Sequence, residues 1–205
     1  MTAGARVAVL LSGRGSNYVA LQEAIAGGRI PAEVVLVLSN RSDAAGLERA
    51  RSFGVPTRVI PHRDHPSREA HEVAVRTALE EVAAEWICLA GYMRLLSADF
   101  VRAWRNRILN IHPSLLPAFP GLHVHEAALE YGVRLSGCTV HLVDDGLDSG
   151  PIVEQRAVPV LDGDSPETLA ARILEQEHEA YPEALRRLLT EPWRLEGRRV
   201  VFGAA

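Results

Sequence analysis

The sequence predicts an α/β fold: a mostly parallel twisted sheet with helices on both faces and a more antiparallel C-terminal part. Short apolar runs of strand length alternate with helical patterns through roughly the first 112 residues, as they do in sheets built from crossovers. After about Pro113 the rhythm changes to two longer strands joined by a turn-rich segment. At 205 residues, 47% apolar and 23% charged, the chain has the size of one domain with a sizeable core. No internal repeat, low-complexity tract or linker interrupts it.

The elements follow in order. Val7 to Leu11 reads as a strand, closed by Ser12-Gly13-Arg14-Gly15-Ser16-Asn17 and followed by a helix from Tyr18 to Ala26. Val34 to Leu38 is a second strand, and a helix through Leu47 and Ala50 stops at Gly54. After a third strand, Thr57 to Ile60, Ser67 caps a helix whose expected inward stripe is Ala70, Ala74, Ala78 and Val82. Trp86 to Ala90 and Ile108 to Ile111 are further strands, separated by a helix from Ala98 to Trp104. Gly137 to Val143 and Ile152 to Val160 are the two longer strands. A long helix from about Ser165 to Leu189 and a short strand near Arg199 to Phe202 complete the chain.

Charge and cysteine content narrow the function classes. Twenty-two basic against twenty-six acidic side chains give a net charge of -4, which argues against a nucleic-acid partner. Cys88 and Cys138 lie inside apolar runs rather than in a disulfide framework. No apolar run approaches a membrane span, and the N-terminus passes into a strand without signal-peptide layout. These features predict a cytoplasmic protein.

Four places could carry chemistry. The loop from Ser12 to Asn17 joins a strand to a helix N-terminus, where free backbone N–H groups and the helix dipole favour an anion. Tyr18 stands where a dinucleotide fingerprint needs its third glycine, and no Gly-Lys-Ser/Thr follows, so a small phosphate ester fits better than a nucleotide. A tight turn without a ligand is the alternative. In Ile108-Leu109-Asn110-Ile111-His112-Pro113, Asn110 and His112 share one strand face. Pro113 places His112 at the strand's C-terminal end, where open α/β sheets bind ligands. An amide beside an imidazole suits a developing oxyanion, although core groups bonded to backbone remain the alternative.

The turn from Asp144 to Gly150 holds three aspartates. They could be solvated, could bind calcium with a spacing that fits no EF-hand, or could reach His112 and keep its imidazole charged. Glu177 falls on the inward stripe of the long helix, between Ile173 and Ala180, and an inward carboxylate needs a partner or a cleft. His62 with His65, or His123 with His125, lacks a third ligand at motif spacing, so no metal site is expected.

The run Asn110-Ile111-His112-Pro113-Ser114-Leu115-Leu116-Pro117, followed by Pro120-Gly121, resembles the active-site signature of folate-dependent formyltransferases. Asp148 in Leu147-Asp148-Ser149-Gly150-Pro151-Ile152 resembles that family's catalytic aspartate. Ser12 to Asn17, Ser39-Asn40, Gly46 to Ala50, Ser67 to Ala70, Leu89 to Arg94 and Gln176-Glu177-His178 extend the likeness over nearly the whole chain. It is nearest to the branch that formylates glycinamide ribonucleotide in purine synthesis.

The resemblance implies a single Rossmann-like formyltransferase domain over 1–205. Its nucleotide-binding half would be about 1–112 and its folate-binding half, with the C-terminal helix, about 113–205. It implies Asn110, His112 and Asp148 as the catalytic trio. Gly15, Ser16 and Asn17 would hold the ribonucleotide phosphate, Glu177 the glycinamide end, and Arg68 the incoming folate or nucleotide. Met93, Arg94, Leu95 and Leu96 would line the pterin pocket with Asn110, and the loop bearing Asp144 and Asp145 would close its other side. The implied substrates are glycinamide ribonucleotide and 10-formyltetrahydrofolate, with no metal, nucleic acid or membrane, in a monomer or weak homodimer.

Ala118-Phe119, Asp144-Asp145-Gly146 and Ser149 depart from the family's usual residues beside the pocket. The branch acting on methionyl-tRNA is expected to carry an added C-terminal domain, and the deformylases an added N-terminal one. Outside the family, a sensor that binds a phosphorylated metabolite without turnover is the rival reading. A nicotinamide-dependent dehydrogenase is disfavoured by the incomplete glycine fingerprint.

Overall fold

The computed structural model describes residues 4–203, and the chain divides into two compact units, Met1–Leu109 and Asn110–Ala205. The first unit runs β1 (Ala5–Leu11), α1 (Ser16–Ala26), β2 (Ala32–Ser39), α2 (Ala45–Ser52), β3 (Thr57–Val59), a 3-10 turn at His62–Asp64, α3 (Arg68–Glu81), β4 (Trp86–Leu89) and α4 (Ala98–Ala103). Its strands lie in the order β3-β2-β1-β4 and every pair is parallel. Val7 to Leu11 is fully buried, as an unbroken apolar run in the middle of a parallel sheet should be.

Helices α1 and α2 touch, as right-handed crossovers leading the same way along a sheet require. The strand order reverses direction between β1 and β4. Loops that leave the C-terminal ends of two such strands frame the crevice where open α/β sheets bind ligands. Here those loops are Ser12–Gly15 and Gly91–Ser97.

Strand β5 (Ile108–His112) begins at the end of the first unit and finishes in the second. The second unit continues with α5 (Val124–Tyr131), β6 (Leu135–Leu142), β7 (Ile152–Pro159), α6 (Pro166–Thr190), β8 (Trp193–Glu196) and β9 (Arg199–Phe202). β6 pairs antiparallel with β7, β7 parallel with β9, and β8 antiparallel with β9. Burial is continuous from Ser136 to Leu142 but alternates along β7, so β7 turns one face to solvent. The buried stripe of α6, including Leu169, Ile173, Ala180 and Leu188, packs on β6 and β7. The α/β class, the parallel early strands and the more antiparallel C-terminal part agree with the sequence expectation.

Three details differ from it. Helix α5 was not anticipated because only Val124 and Ala128 are buried in its eight residues, too few turns for a period to emerge. Strand β8 escaped notice because Arg194 and Glu196 are polar; it turns into β9 through Gly197, which adopts φ 61°. On α3 the buried residues are His71, Glu72, Val75, Ala78 and Leu79; of the expected stripe only Ala78 is buried, while Ala70, Ala74 and Val82 are half-buried. The buried face includes two polar side chains that are satisfied: His71 Nε2 donates to the Ile60 carbonyl at 2.9 Å, and Glu72 accepts from Ser97.

The start of α6 is built around Asp164. Its carboxylate accepts from both Arg172 terminal nitrogens (2.7 and 2.8 Å), the Leu161 N–H (2.7 Å) and the Thr168 hydroxyl (2.9 Å). Ser165 then closes a capping box with Thr168. The bonds from Arg172, followed by that from Leu161, hold the Asp164 carboxyl well below the usual carboxylate range. A depressed pKa stabilises the fold above the unfolded value of about 3.9 and loses that contribution as pH falls towards the folded value. Asp164→Asn should therefore melt below the parent at neutral pH, and the gap should narrow in acid below pH ~4. Thermal melts across that range check this; a gap independent of pH would contradict it.

Candidate active site

In the first unit, the loop after β1 is shaped by two glycines in contact. Gly15 caps α1 with φ 72°, and a Cβ there would lie 2.7 Å from the Cα of Gly46. The Gly46 N–H donates to the Gly13 carbonyl at 3.0 Å, which holds the loop against the start of α2. Ser16 and Asn17 are the first residues of α1. No side chain caps this helix and its first turn holds no acidic residue. Its N-terminal amides and positive dipole end thus meet no opposing carboxylate from their own turn.

Arg68 opens α3 directly after Ser67, whose hydroxyl accepts from the Ala70 N–H as expected. The Arg68 guanidinium is exposed beside Glu69 at 3.5 Å. Met93 to Leu96 connect β4 with α4, and the Met93 N–H donates to the Ser12 hydroxyl at 2.9 Å. That hydroxyl donates to Asn40 Oδ1 at 2.5 Å. The Asn40 amide in turn donates to His62 Nδ1 at 3.2 Å.

In the second unit, β5 ends at His112, as Pro113 dictates. His112 Nε2 donates to the Phe119 carbonyl at 2.9 Å, while Nδ1 faces Asp148 Oδ2 at 3.4 Å. Both side chains are largely buried. Asp148 Oδ2 also accepts from the Gly121 N–H at 2.8 Å. The segment 113–121 therefore supplies a carbonyl to the imidazole and an amide to the carboxylate.

That segment is itself held from β6 and β7. The Thr139 hydroxyl donates to the Ser114 carbonyl (2.7 Å) and accepts from the Leu116 N–H (3.0 Å). Gln155 donates to the Leu116 carbonyl and to Thr139, both at 2.9 Å. The Leu116–Pro117 peptide bond is cis.

Sequence reasoning missed His141. Its Nδ1 donates to the Leu142 carbonyl at 3.0 Å, which leaves the Nε2 lone pair to accept from the Asn110 amide at 3.1 Å. Burial pushes the His141 pKa down, and a neutral ring is the form this bond requires. One Asn110 amide hydrogen is thus committed, which fixes the amide plane and leaves the second hydrogen to donate elsewhere. A signal existed: Thr139 and His141 stand two residues apart in a strand that is mostly apolar. Burial likewise lowers the pKa of His125, with His112 among the nearby charges.

The 144–150 loop closes on itself. Asp144 Oδ1 accepts from the Ser149 hydroxyl (2.6 Å) and the Gly146 N–H (3.1 Å), while Asp145 is exposed. Arg198 donates to the Ser149 carbonyl from the hairpin side. At the neck, a Cβ on Gly150 would sit 1.7 Å from the Leu142 carbonyl oxygen, so only glycine fits there. Glu177 is 7% exposed on the inward face of α6, as its spacing predicts. It lies close enough to Cys138 to add to the effect of burial, which pushes that thiol up to about 12. Among the described residues, no three His, Cys, Asp or Glu side chains are grouped to hold a metal ion.

Comparison with known proteins places this geometry in context. The chain is 56% identical over 88% of its length to the trifunctional purine biosynthetic protein adenosine-3 of Drosophila pseudoobscura pseudoobscura, of which it spans 13%. It is 44% identical to the phosphoribosylglycinamide formyltransferase of Escherichia coli, with 94% of this chain and 88% of that one covered. The crystal structure of glycinamide ribonucleotide transformylase 1 from Symbiobacterium toebii superposes with a TM-score of 0.96 at 49% identity, over 98% and 95% of the two chains. A formyl transferase family model matches residues 5–185, and the chain belongs to that family.

Proposed function

We propose that this chain transfers the formyl group of 10-formyltetrahydrofolate to the glycinamide amine of 5'-phosphoribosylglycinamide, giving the formylated ribonucleotide and tetrahydrofolate. The carrying observation is the arrangement of Asn110, His112 and Asp148: an amide with a hydrogen to spare and an imidazole paired with a carboxylate. The similarity to the Escherichia coli enzyme over most of both chains supports this choice of acceptor.

The uncharged amine attacks the formyl carbon, and the carbonyl pair moves onto oxygen. Asn110 N–H donates to that oxyanion, as a preorganised donor does, and the His112 imidazolium beside it contributes its positive charge. Both ring nitrogens of His112 face acceptors, Phe119 O and Asp148. The oxyanion then collapses and the bond to the folate nitrogen breaks. The proton lost by the attacking amine passes to that nitrogen, through water or His112. A covalent formyl-enzyme is not needed. Every basic residue outside histidine is an arginine, so no lysine amine is present to act as a nucleophile.

The other roles are assigned residue by residue. Gly15, Ser16 and Asn17 hold the phosphate at the uncapped start of α1, and Glu177 receives the glycinamide end. Arg68, Met93, Arg94, Leu95, Leu96, Asn110, Asp144 and Asp145 serve the folate. In the same reading, residues 1–205 act as one formyltransferase domain. The protein is a cytoplasmic monomer or weak homodimer that works without metal, nucleic acid or membrane.

A spectroscopic turnover assay with 10-formyltetrahydrofolate tests the reaction. Tetrahydrofolate release that depends on the ribonucleotide is expected; release without acceptor would make the protein a hydrolase, and binding without release would make it a sensor. Asn110→Ala should lower kcat by about a hundredfold or more, the usual loss for one oxyanion donor. Asp148→Asn, which keeps the shape but removes the charge beside His112, should also lower kcat strongly. Near-native turnover in either variant would refute the assigned trio.

A further inference from the structure

The four residues Met93 to Leu96 form a strap whose two ends are pinned by buried polar groups. At the near end the Met93 N–H donates to Ser12, which is itself bonded to Asn40. At the far end the Ser97 N–H donates to Glu72 Oε1 at 2.7 Å, and the Ser97 hydroxyl donates to Glu72 Oε2. The same hydroxyl caps α4 by accepting from the Phe100 N–H at 3.2 Å. Between these anchors, Met93 and Leu95 are each 64% exposed.

Glu72 is the unusual member. It is 5% exposed and Ser97 8%, and a buried carboxylate is costly unless its oxygens are matched by donors. A serine alone suffices to cap a helix, so the cap does not explain the carboxylate. Gripping both the backbone N–H and the hydroxyl of one residue does something more: it fixes the position and the orientation of Ser97. The direction in which the strap leaves Ser97 is fixed with it. A pinned strap presents Met93 and Leu95 as a preformed apolar surface, and preformation removes the ordering cost of binding against it.

We propose that Glu72 is a positioning residue for the folate donor: through Ser97 it holds the 93–96 strap in the shape that receives the folate's ring system. The proposal rests on the assignment of Met93 to Leu96 to the folate. Glu72 touches no reacting atom, so its removal changes binding of one substrate and not the chemical step.

Steady-state kinetics on the full chain, with thermal melts of each variant, test it. Glu72→Ala should raise the KM for 10-formyltetrahydrofolate about tenfold, with kcat and the KM for the ribonucleotide within about twofold, as loss of one buried anchor would do. Glu72→Gln keeps an acceptor for the Ser97 N–H and should recover most of the lost affinity. If Glu72→Ala does not fold, Ser97→Ala, which retains the backbone bond, should show the same selective rise in smaller measure. An unchanged folate KM in the folded variants would overturn the proposal. So would a joint fall in kcat and in the affinity for both substrates, which marks a general structural support. The double variant Met93→Ala with Leu95→Ala separates the two levels. If it leaves the folate KM unchanged, the assignment of the strap to folate fails. If it raises that KM while Glu72→Ala does not, only the positioning role fails.

Discussion

His112 is held by a carbonyl on one ring nitrogen and a carboxylate near the other, and two loops of the second unit, 113–121 and 143–151, supply those groups. The carbonyl belongs to Phe119, and the carboxylate of Asp148 is steadied by the N–H of Gly121. Both therefore depend on the path of 113–121, which Thr139 and Gln155 fix from the neighbouring hairpin. The chain of dependence runs from two strand side chains, through a loop backbone, to an imidazole. Each link is a short bond between groups with few alternatives, which is how a loop attains the rigidity of a strand.

The first unit is governed by a different constraint, close approach of backbones. The loop after β1 reaches its position because Gly15 and Gly46 bring two backbones within reach of each other. Methylation of either Cα would push α2 away from the loop. Where the second unit positions side chains by hydrogen bonds, the first positions backbone amides by the absence of side chains. Anion recognition by main-chain N–H groups asks for that arrangement.

Much of this was legible in the sequence, and the rest was hidden for identifiable reasons. The alternation of apolar runs and helical stripes showed the parallel strands, and Pro113 placed His112 at a strand end. The inward position of Glu177 also followed from spacing alone. Helix α5 was hidden because two buried positions make no period, and β8 because its arginine and glutamate mask an edge strand. The stripe on α3 was legible only at Ala78, because His71 and Glu72 are buried by virtue of partners far away in sequence. His141 was overlooked for the same reason: its significance lies in Asn110, thirty-one residues earlier. Periodicity reports what water excludes, and it is silent on polar groups that find each other across the fold.

Asp148 adopts φ 49°, in the left-handed region that costs most residues about 1 kcal/mol or more and that aspartate and asparagine tolerate best. The backbone at this position would be more comfortable with glycine, yet glycine would remove the carboxylate. The backbone and the side chain of this residue therefore favour different amino acids. Glycine would relieve the torsion, but it would leave the Gly121 N–H and the His112 ring without the carboxylate that they share. One torsion angle is thus held in an uncommon region by the bonds of its own side chain.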